Sequence, residues 1–292
     1  MLWRRRLAPA SMGGVAAGDR LVLLRTPMGR IGTPGLLVVS ADGGVRTVEL
    51  GGIQAGFQDP PDWDRPAAYG VSRDAGLAVD PAGGRAFVVA AGATMAEVDL
   101  AGLDVTYHNL RQPRSLLRRL AHWLVPPAEA KLAAGTWRSA CWLGGGTLAV
   151  WGTDARVTGD TPAELRSDTR ASGIKLVDTR TWTARALDPE ATAVRWRAGR
   201  LLAFGSIWDG QAQRERGNGL AVYGPGSRPP RHLLGDLAVL DAHLHGDLVY
   251  ASVDNGGEQP GSVVVSLREG RVLRASKEWL PSLLLADHDS LC

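Results

Sequence analysis

Short apolar stretches alternate with polar turns along the whole chain. One unit reads Gly35-LLVVSADGGVRTVEL: an apolar run, a polar turn, and a run in which apolar and polar residues alternate. Alternation with a period of two is typical of a half-buried β-strand, and a tight turn between two such runs predicts a β-hairpin. The pattern therefore predicts an all-β protein that is built from hairpins.

This hairpin occurs five times, which makes the chain a repeat. The other copies begin at Met95, Gly173, Gly219 and Ser262, and each copy follows a second hairpin in which a Gly turn leads into an apolar strand. Each unit thus contains four strands, A to D, and the units recur at intervals of 47 to 65 residues. A four-stranded unit of about 40 to 45 residues has the length of a propeller blade.

The pattern does not show a clear strand A in the first unit. In the later units strand A is predicted at residues 76–80, 137–143, 192–197 and 239–245. The chain before Asp19 is Gly-rich and alternates poorly, whereas residues 282–289 form an apolar strand that no B, C or D strand follows. We therefore expect residues 1–17 to form an N-terminal arm and residues 18–292 a single domain, in which the C-terminal strand completes the first unit. The ring closed in this way has no open sheet edge. The alternative is that residues 9–17 are strand A of the first unit, so that the C-terminal strand begins a sixth blade that is supplied by another chain or left open.

The five units resemble the blades of YVTN and WD40-like β-propellers, a superfamily that includes quinoprotein-type propellers. The unit that begins Ile174-KLVDTRTW is the most similar, because its aliphatic strand is followed by an Asp-Thr turn. The resemblance covers roughly residues 18–292. It implies a five-bladed β-propeller of four-stranded antiparallel blades, and it carries over no particular site residue.

The long insertions are predicted to lie on one face. Successive strands of a meander run in opposite directions, so the A–B and C–D turns lie on one face and the B–C and D–A connections on the other. All the long insertions are of the second kind: 51–75, 111–135, 152–172, 206–218 and 253–261. Long connections in a compact domain are often functional, and we expect this face to be the working surface.

The insertion at 111–135 contains a predicted amphipathic helix. Between Ser115 and Val125, apolar residues that include Leu116, Leu120 and Trp123 recur at helical spacing. The helix either packs its apolar side onto the propeller or presents it to a partner or an anionic surface.

Composition and charge exclude several classes of protein. The chain has 292 residues and a net charge of +3, and its apolar runs are far shorter than the roughly 18 residues of a membrane-spanning helix. Its basic residues form no dense stripe with interleaved aromatic residues, so a nucleic acid is not the expected partner. Two cysteines make no disulfide framework. No apolar segment follows the basic start, and we expect a cytoplasmic protein.

Three aspartates in the first insertion are candidate calcium ligands. Asp59, Asp62 and Asp64 lie close together in a Pro-rich loop. Clustered carboxylates suit Ca²⁺, although the spacing is not that of an EF-hand loop. Solvated carboxylates of a turn explain the same pattern.

Two histidines in the last unit are candidate zinc ligands. His243 and His245 are two residues apart on a predicted strand A and share a face with Asp241, which suits Zn²⁺. The alternative is that these side chains line a hydrated channel. The sequence indicates no other cofactor.

Tryptophans and arginines in the insertions are candidates for partner binding. They are Trp63, Trp123, Trp208, Arg156 and Arg214. Aromatic residues and arginine are enriched at protein interfaces. The leading hypothesis is therefore a non-catalytic propeller that binds a protein partner through the face with the long B–C and D–A connections.

Two other functions remain open. A hydrolase or lyase would use Asp59, Asp62, Asp209 or His243 at the mouth of the channel, as metal ligands or acid–base groups. A propeller that binds a glycan or another small molecule would stack its ligand on Trp63 and Trp208.

Overall fold

A computed structural model describes most of the chain, and its secondary structure is entirely β. The described residues are 10–58, 71–92, 94–110, 133–158, 166–212, 214–224, 229–235, 237–254 and 261–277. They form 26 strands, numbered β1 to β26 in chain order, and these ranges contain no helix. In this part of the chain there is accordingly no helix that could span a membrane.

Twenty of the strands form five antiparallel meanders of four strands each, which we call sheets 1 to 5. Sheet 1 contains β1 (Ala10–Ala17), β2 (Arg20–Pro27), β4 (Gly35–Ser40) and β5 (Val45–Glu49). Sheet 2 contains β8 (Gly76–Asp80), β9 (Arg85–Val89), β10 (Thr94–Asp99) and β11 (Val105–Asn109). Sheet 3 contains β12 (Ala133–Gly144), β13 (Thr147–Thr158), β15 (Ile174–Asp178) and β16 (Thr183–Asp188). Sheet 4 contains β17 (Ala193–Arg197), β18 (Arg200–Phe204), β21 (Leu220–Tyr223) and β22 (Arg231–Leu233). Sheet 5 contains β23 (Ala238–His245), β24 (Leu248–Asp254), β25 (Gly261–Ser266) and β26 (Arg271–Ser276).

The predicted hairpins are confirmed in all five sheets. In sheet 1, for example, Val22 pairs with Val38 across β2 and β4, and the turn after β4 is closed by the Gly44 N–H, which donates to Oδ1 of Asp42. The predicted strands A of the later units correspond to β8, β12, β17 and β23. Alternation therefore identified these strands correctly.

The hydrophobic core lies between successive sheets. Four clusters of buried side chains join sheet 1 to 2, 2 to 3, 3 to 4 and 4 to 5. Strand β9 shows why the alternation matters: Val88 belongs to the cluster with sheet 1, whereas Phe87 and Val89 belong to the cluster with sheet 3. Sheets 2, 3 and 4 are thus apolar on two faces, and the five sheets stack face to face.

In the first unit the structure agrees with the alternative prediction, a strand A in the residues before Gly18. Residues 10–17 do not belong to an arm but form β1, which pairs with β2 over eight residue pairs, from Ala10 with Pro27 to Ala17 with Arg20. β1 thus takes the position that we predicted for the C-terminal strand. Its small residues gave no clear strand signal, but they let the strand lie close to its neighbours: a Cβ on Gly14 would be 2.5 Å from Cδ2 of Leu23.

The remaining six strands come from the long connections. They are β3 (Arg30–Gly32), β6 (Ala55–Gln58), β7 (Val71–Asp74), β14 (Arg166–Ala171), β19 (Ser206–Asp209) and β20 (Arg214–Gly217). All of them lie in B–C or D–A connections, whose side of the molecule we call the connection face. The opposite side, with the A–B and C–D turns, is the turn face.

On the connection face, strands of sheet 3 continue beyond the meander. β12 and β13 are twelve residues long, and their outer halves pair with β7 and β14 on either side. With β6 and β3 beyond β7, this gives the order β3-β6-β7-β12-β13-β14, which we call the face layer. The segments 51–75 and 152–172 were predicted as loops. Most of their described residues belong instead to strands β6, β7, β13 and β14.

Two predictions lie outside the described residues. They are the helix between residues 115 and 125 and the strand at 282–289. Among the described residues no hydrophobic cluster joins sheet 5 to sheet 1. Closure of the ring by the C-terminal residues stays a prediction.

Candidate binding face and axial cavity

The innermost strands of sheets 1 to 4 line a cavity of about 620 Å³, which we call the axial cavity. Its wall includes Gly13 to Val15 of β1, Gly76 and Leu77 of β8, Ser139 of β12, and Val194 of β17. A Cβ on Gly76 would lie 2.4 Å from the Cα of Ser139, so glycine lets β8 and β12 approach this closely. Four-stranded meanders that stack face to face around a central cavity are the blades of a β-propeller. The fold is a β-propeller.

An ion pair fixes Arg138 beside the axial cavity of the propeller. Its Nη2 donates to Oδ1 of Asp154 at 2.7 Å, and its Nη1 donates to the Thr153 carbonyl oxygen at 3.0 Å. The side chain of Arg138 is only 15 % exposed. Because both bonds connect β12 to β13 in the face layer, they hold this part of the wall rigid.

Asp74, at the end of β7, also lines the axial cavity. Burial raises the pKa of its carboxyl above the ordinary value of 3.8, and a hydrogen bond from the Ser72 hydroxyl opposes this effect. In the parallel pairing of β7 with β12, Asp74 lies opposite Trp137. Trp137 is 36 % exposed and also lines the cavity.

Asp241 connects sheet 4 to sheet 5. One carboxylate oxygen accepts a hydrogen bond from Nη2 of Arg195 at 3.2 Å and another from the Ala242 N–H at 2.9 Å. The other oxygen bonds Nε2 of His243 at 2.9 Å. The predicted sharing of one strand face by Asp241 and His243 therefore results in a direct contact.

The insertions of sheets 3 and 4 meet on the connection face. The Trp208 N–H of β19 donates to Oγ1 of Thr169 in β14, and the Thr169 hydroxyl lies 3.3 Å from the Trp208 carbonyl oxygen. In the turn after β19, the N–H groups of Ala212 and Gln211 bond the Asp209 carboxylate and lower its pKa. The β19–β20 hairpin is thus fixed at its turn and along its side.

A second cavity, of about 820 Å³, opens on the connection face between sheets 3, 4 and 5. Its wall comes from β14, from the β19–β20 hairpin and from the connections that follow β16 and β22. The charged side chains that line it are Arg170, Glu190, Arg214, Glu215, Arg216 and Asp254.

The predicted site residues fall into three groups. Trp208 and Arg214 lie in the β19–β20 hairpin, the first half-buried and the second exposed. Arg156 lies in β13 opposite Asp168 of β14. Trp63, Trp123, Asp59, Asp62 and Asp64 lie outside the described residues.

The structure brings together only two of the three residues that we predicted to share a zinc site. His243 bonds Asp241, while His245 lies at the exposed end of β23, next to the turn into β24. Within the described ranges, no three His, Cys, Asp or Glu side chains form a group that could hold a metal ion.

Sequence patterns missed several residues of the two cavities. Arg138 and Asp74 have no motif around them, and only the pairing of β7, β12 and β13 places them together. Arg170 and Arg216 were hidden in mixed-charge segments. The sequence of β7, Val71-Ser-Arg-Asp, does not alternate and gave no strand signal.

Comparison with known proteins found similar solved structures. No family model matches the chain, and no curated protein matches it. The β-propeller domain of Cps50 (Swd1) from Myceliophteria thermophila is 12 % identical, with a TM-score of 0.35 over 93 % of this chain and 90 % of that domain. BamB from Moraxella catarrhalis is also 12 % identical, with a TM-score of 0.38 over 89 % of this chain and 73 % of BamB.

Puromycin hydrolase is a further similar structure. It is 19 % identical, with a TM-score of 0.48 over 92 % of this chain. The match covers only 39 % of the hydrolase. With TM-scores below 0.5, none of these three likenesses bears on substrate or partner.

Proposed function

We propose that this propeller is a non-catalytic interaction platform that binds a protein partner through its connection face. One observation carries the proposal: the six strands outside the meanders all come from connections of this face. A connection that only joins two blades needs no strands of its own. Strands paired into a layer present side chains at fixed positions, as a binding surface requires.

The side chains of this face support the same function. Trp208 supplies a half-buried indole on one side of the β19–β20 hairpin, and Arg214 and Arg216 are exposed on the other side, since Trp208 pairs with Glu215. Aromatic and arginine side chains contribute most of the binding energy at many interfaces. Thr169 and Asp209 hold the hairpin that carries them, so little ordering is needed when a partner binds.

We propose in addition that the five sheets are the blades of one five-bladed domain. The four clusters between successive sheets support this arrangement. Since β1 already provides the innermost strand of sheet 1, we propose that residues 278–292 close the ring by contributing to the junction of sheet 5 with sheet 1.

The platform is tested by capturing partners from an extract of the source cells with the full-length protein and measuring the affinity of each purified partner. Trp208→Ala with Arg214→Glu alters the connection face, and Arg185→Glu with Arg268→Glu alters exposed arginines elsewhere. We expect the first pair to weaken binding by about tenfold or more and the second to leave it unchanged. Equal effects of the two pairs would contradict the proposal.

A second candidate function is a hydrolase or lyase, and the contact between Asp241 and His243 favours it. A neutral imidazole that donates from Nε2 to a carboxylate keeps Nδ1 as a basic atom. This is the arrangement of a general base oriented by an acid. Turnover of ester or peptide substrates that is lost in both Asp241→Asn and His243→Ala would support this function. Turnover that survives both changes would exclude His243 as the base.

A further inference from the structure

Three arginines line the second cavity of the connection face. Arg170 projects from β14, and Arg214 and Arg216 project from one side of β20, since they are two residues apart on a strand. All three are exposed. In the part of the chain that the structure describes, none of them has an ion pair or a side-chain hydrogen bond.

Other arginines near the axis behave differently. Arg138 bonds Asp154, and Arg195 bonds Asp241, so these guanidinium groups serve the fold. Asp209 pairs with Arg214 across the β19–β20 hairpin, and its pKa is lowered by the N–H groups of Ala212 and Gln211 and also by the charges of Arg216 and Arg214. The N–H groups of both guanidinium side chains are left to donate hydrogen bonds to a ligand.

We infer that this cavity binds an acidic peptide segment of the protein partner, with carboxylate side chains paired to Arg170, Arg214 and Arg216. The inference rests on the proposed platform function and names the chemistry of its partner. A guanidinium group forms two parallel hydrogen bonds with a carboxylate, and such charge-assisted pairs are stronger than neutral ones. The cavity, at about 820 Å³, has room for several side chains of an extended segment.

Acidic residues in the same wall determine which anions fit. Glu190, Glu215 and Asp254 line the same cavity. A uniform polyanion such as a nucleic acid brings a phosphate against each of these carboxylates, and like charges that face each other cost affinity. A peptide with separated carboxylates avoids this repulsion. The wall therefore favours an acidic peptide over RNA.

Fluorescence anisotropy of the full-length protein with labelled probes tests this inference. The probe is a short peptide of alternating Glu and Gly, compared with its Gln–Gly counterpart and with oligouridylate. The test variant combines Arg170→Gln, Arg214→Gln and Arg216→Gln. The matched control combines Arg185→Gln, Arg268→Gln and Arg274→Gln, which changes the net charge equally at exposed positions outside the cavity. Thermal unfolding confirms that both triple variants are folded.

We expect the Glu–Gly peptide to bind at least about tenfold more tightly than the other two probes, and the test variant to lose about tenfold in affinity while the control stays within about twofold. Equal losses in both variants, tighter binding of oligouridylate, or no binding of the acidic peptide would overturn the inference. If the acidic peptide fails but a captured partner still depends on Trp208 and Arg214, this inference fails and the platform stands.

Discussion

The imidazole ring of His108 lies flat on the indole of Trp182, with ring centroids 3.5 Å apart and ring planes inclined by 9°. His108 belongs to β11 of sheet 2, and Trp182 to the turn between β15 and β16 of sheet 3. Nε2 of His108 also bonds Oε2 of Glu97 at 2.8 Å. The stack thus joins two neighbouring blades at their outer strands.

Trp182→Ala is expected to destabilise the propeller, because it removes this stack together with the contact of Trp182 with Phe87. Trp182 is only partly buried, so we expect a loss of about 2 kcal/mol in the free energy of unfolding. Urea denaturation measures it.

A double-mutant cycle with His108→Ala isolates the stack. We expect a coupling free energy of about 1 kcal/mol between the two positions. Strict additivity of the two single changes would show that the rings stack without stabilising the fold.

Tyr223 makes the stability of the fold depend on pH in the alkaline range. Burial and the neighbouring Asp188 carboxylate raise the pKa of Tyr223 from 10.0 to about 12. The folded state therefore favours the protonated phenol. The resulting stability is fully present below pH 10 and is lost as the pH rises toward about 12.

Tyr223→Phe tests this dependence. The hydroxyl donates to Oδ2 of Asp188 at 3.2 Å, so its loss is expected to cost about 1 kcal/mol at neutral pH. Between pH 10 and about 12 the variant is expected to lose less stability than the wild type. Chemical denaturation at several pH values measures both effects, and parallel pH profiles would contradict the assignment.

Asp74→Asn is expected to stabilise the protein at neutral pH. The pKa of Asp74 is raised above 3.8 by burial, so the folded state binds its proton more tightly than the unfolded chain does. The contribution of Asp74 is therefore favourable at acid pH and is lost as the pH rises through the folded-state pKa.

Asparagine has no charge to bury and can still accept the hydrogen bond from Ser72. The melting temperature of the variant should exceed that of the wild type at pH 7, and the difference should vanish below pH 3.8. A variant that melts earlier than the wild type at pH 7 would show that the charged form of Asp74 is needed at the cavity.

Gly152→Ala is expected to disturb the face layer. A Cβ at this position would lie 1.9 Å from the carbonyl oxygen of Trp137, which belongs to the backbone and cannot rotate away. We expect a loss of about 3 kcal/mol in the free energy of unfolding, measured in urea. Gly51→Ala is the control, because nothing lies within 4 Å of its Cβ position. Similar losses at the two positions would argue against the close approach of β12 and β13.

The sequence predicted the meanders well because their strands alternate and end at Gly or Asp turns. It indicated β1 only as an alternative, because Ala10 to Ala17 include few bulky side chains, and it missed β14, which is polar except for Ala171. Both strands form because a partner strand is in place, which is a tertiary effect that local propensity does not contain.

The sequence predicted which face of the propeller carries the candidate site, but it did not predict the contacts between the residues of that site. Meander topology placed the insertions on one side, and Trp208 and Arg214 were found there. The contact between Thr169 and Trp208, and the placement of Arg170 near Arg216, depend on two insertions that are distant in sequence. The spacing of residues along the sequence does not show which distant insertions come into contact.

Photo-crosslinking in the source cells tests the central claim, that the connection face binds a protein partner. A photoreactive amino acid replaces Arg214 on the connection face in one variant and Arg268 on the turn face in the other. Both positions are exposed, so the two variants differ in their place on the propeller. The account predicts a discrete protein adduct from position 214 and none from position 268. An adduct from position 268 alone, or none from either position, would contradict it.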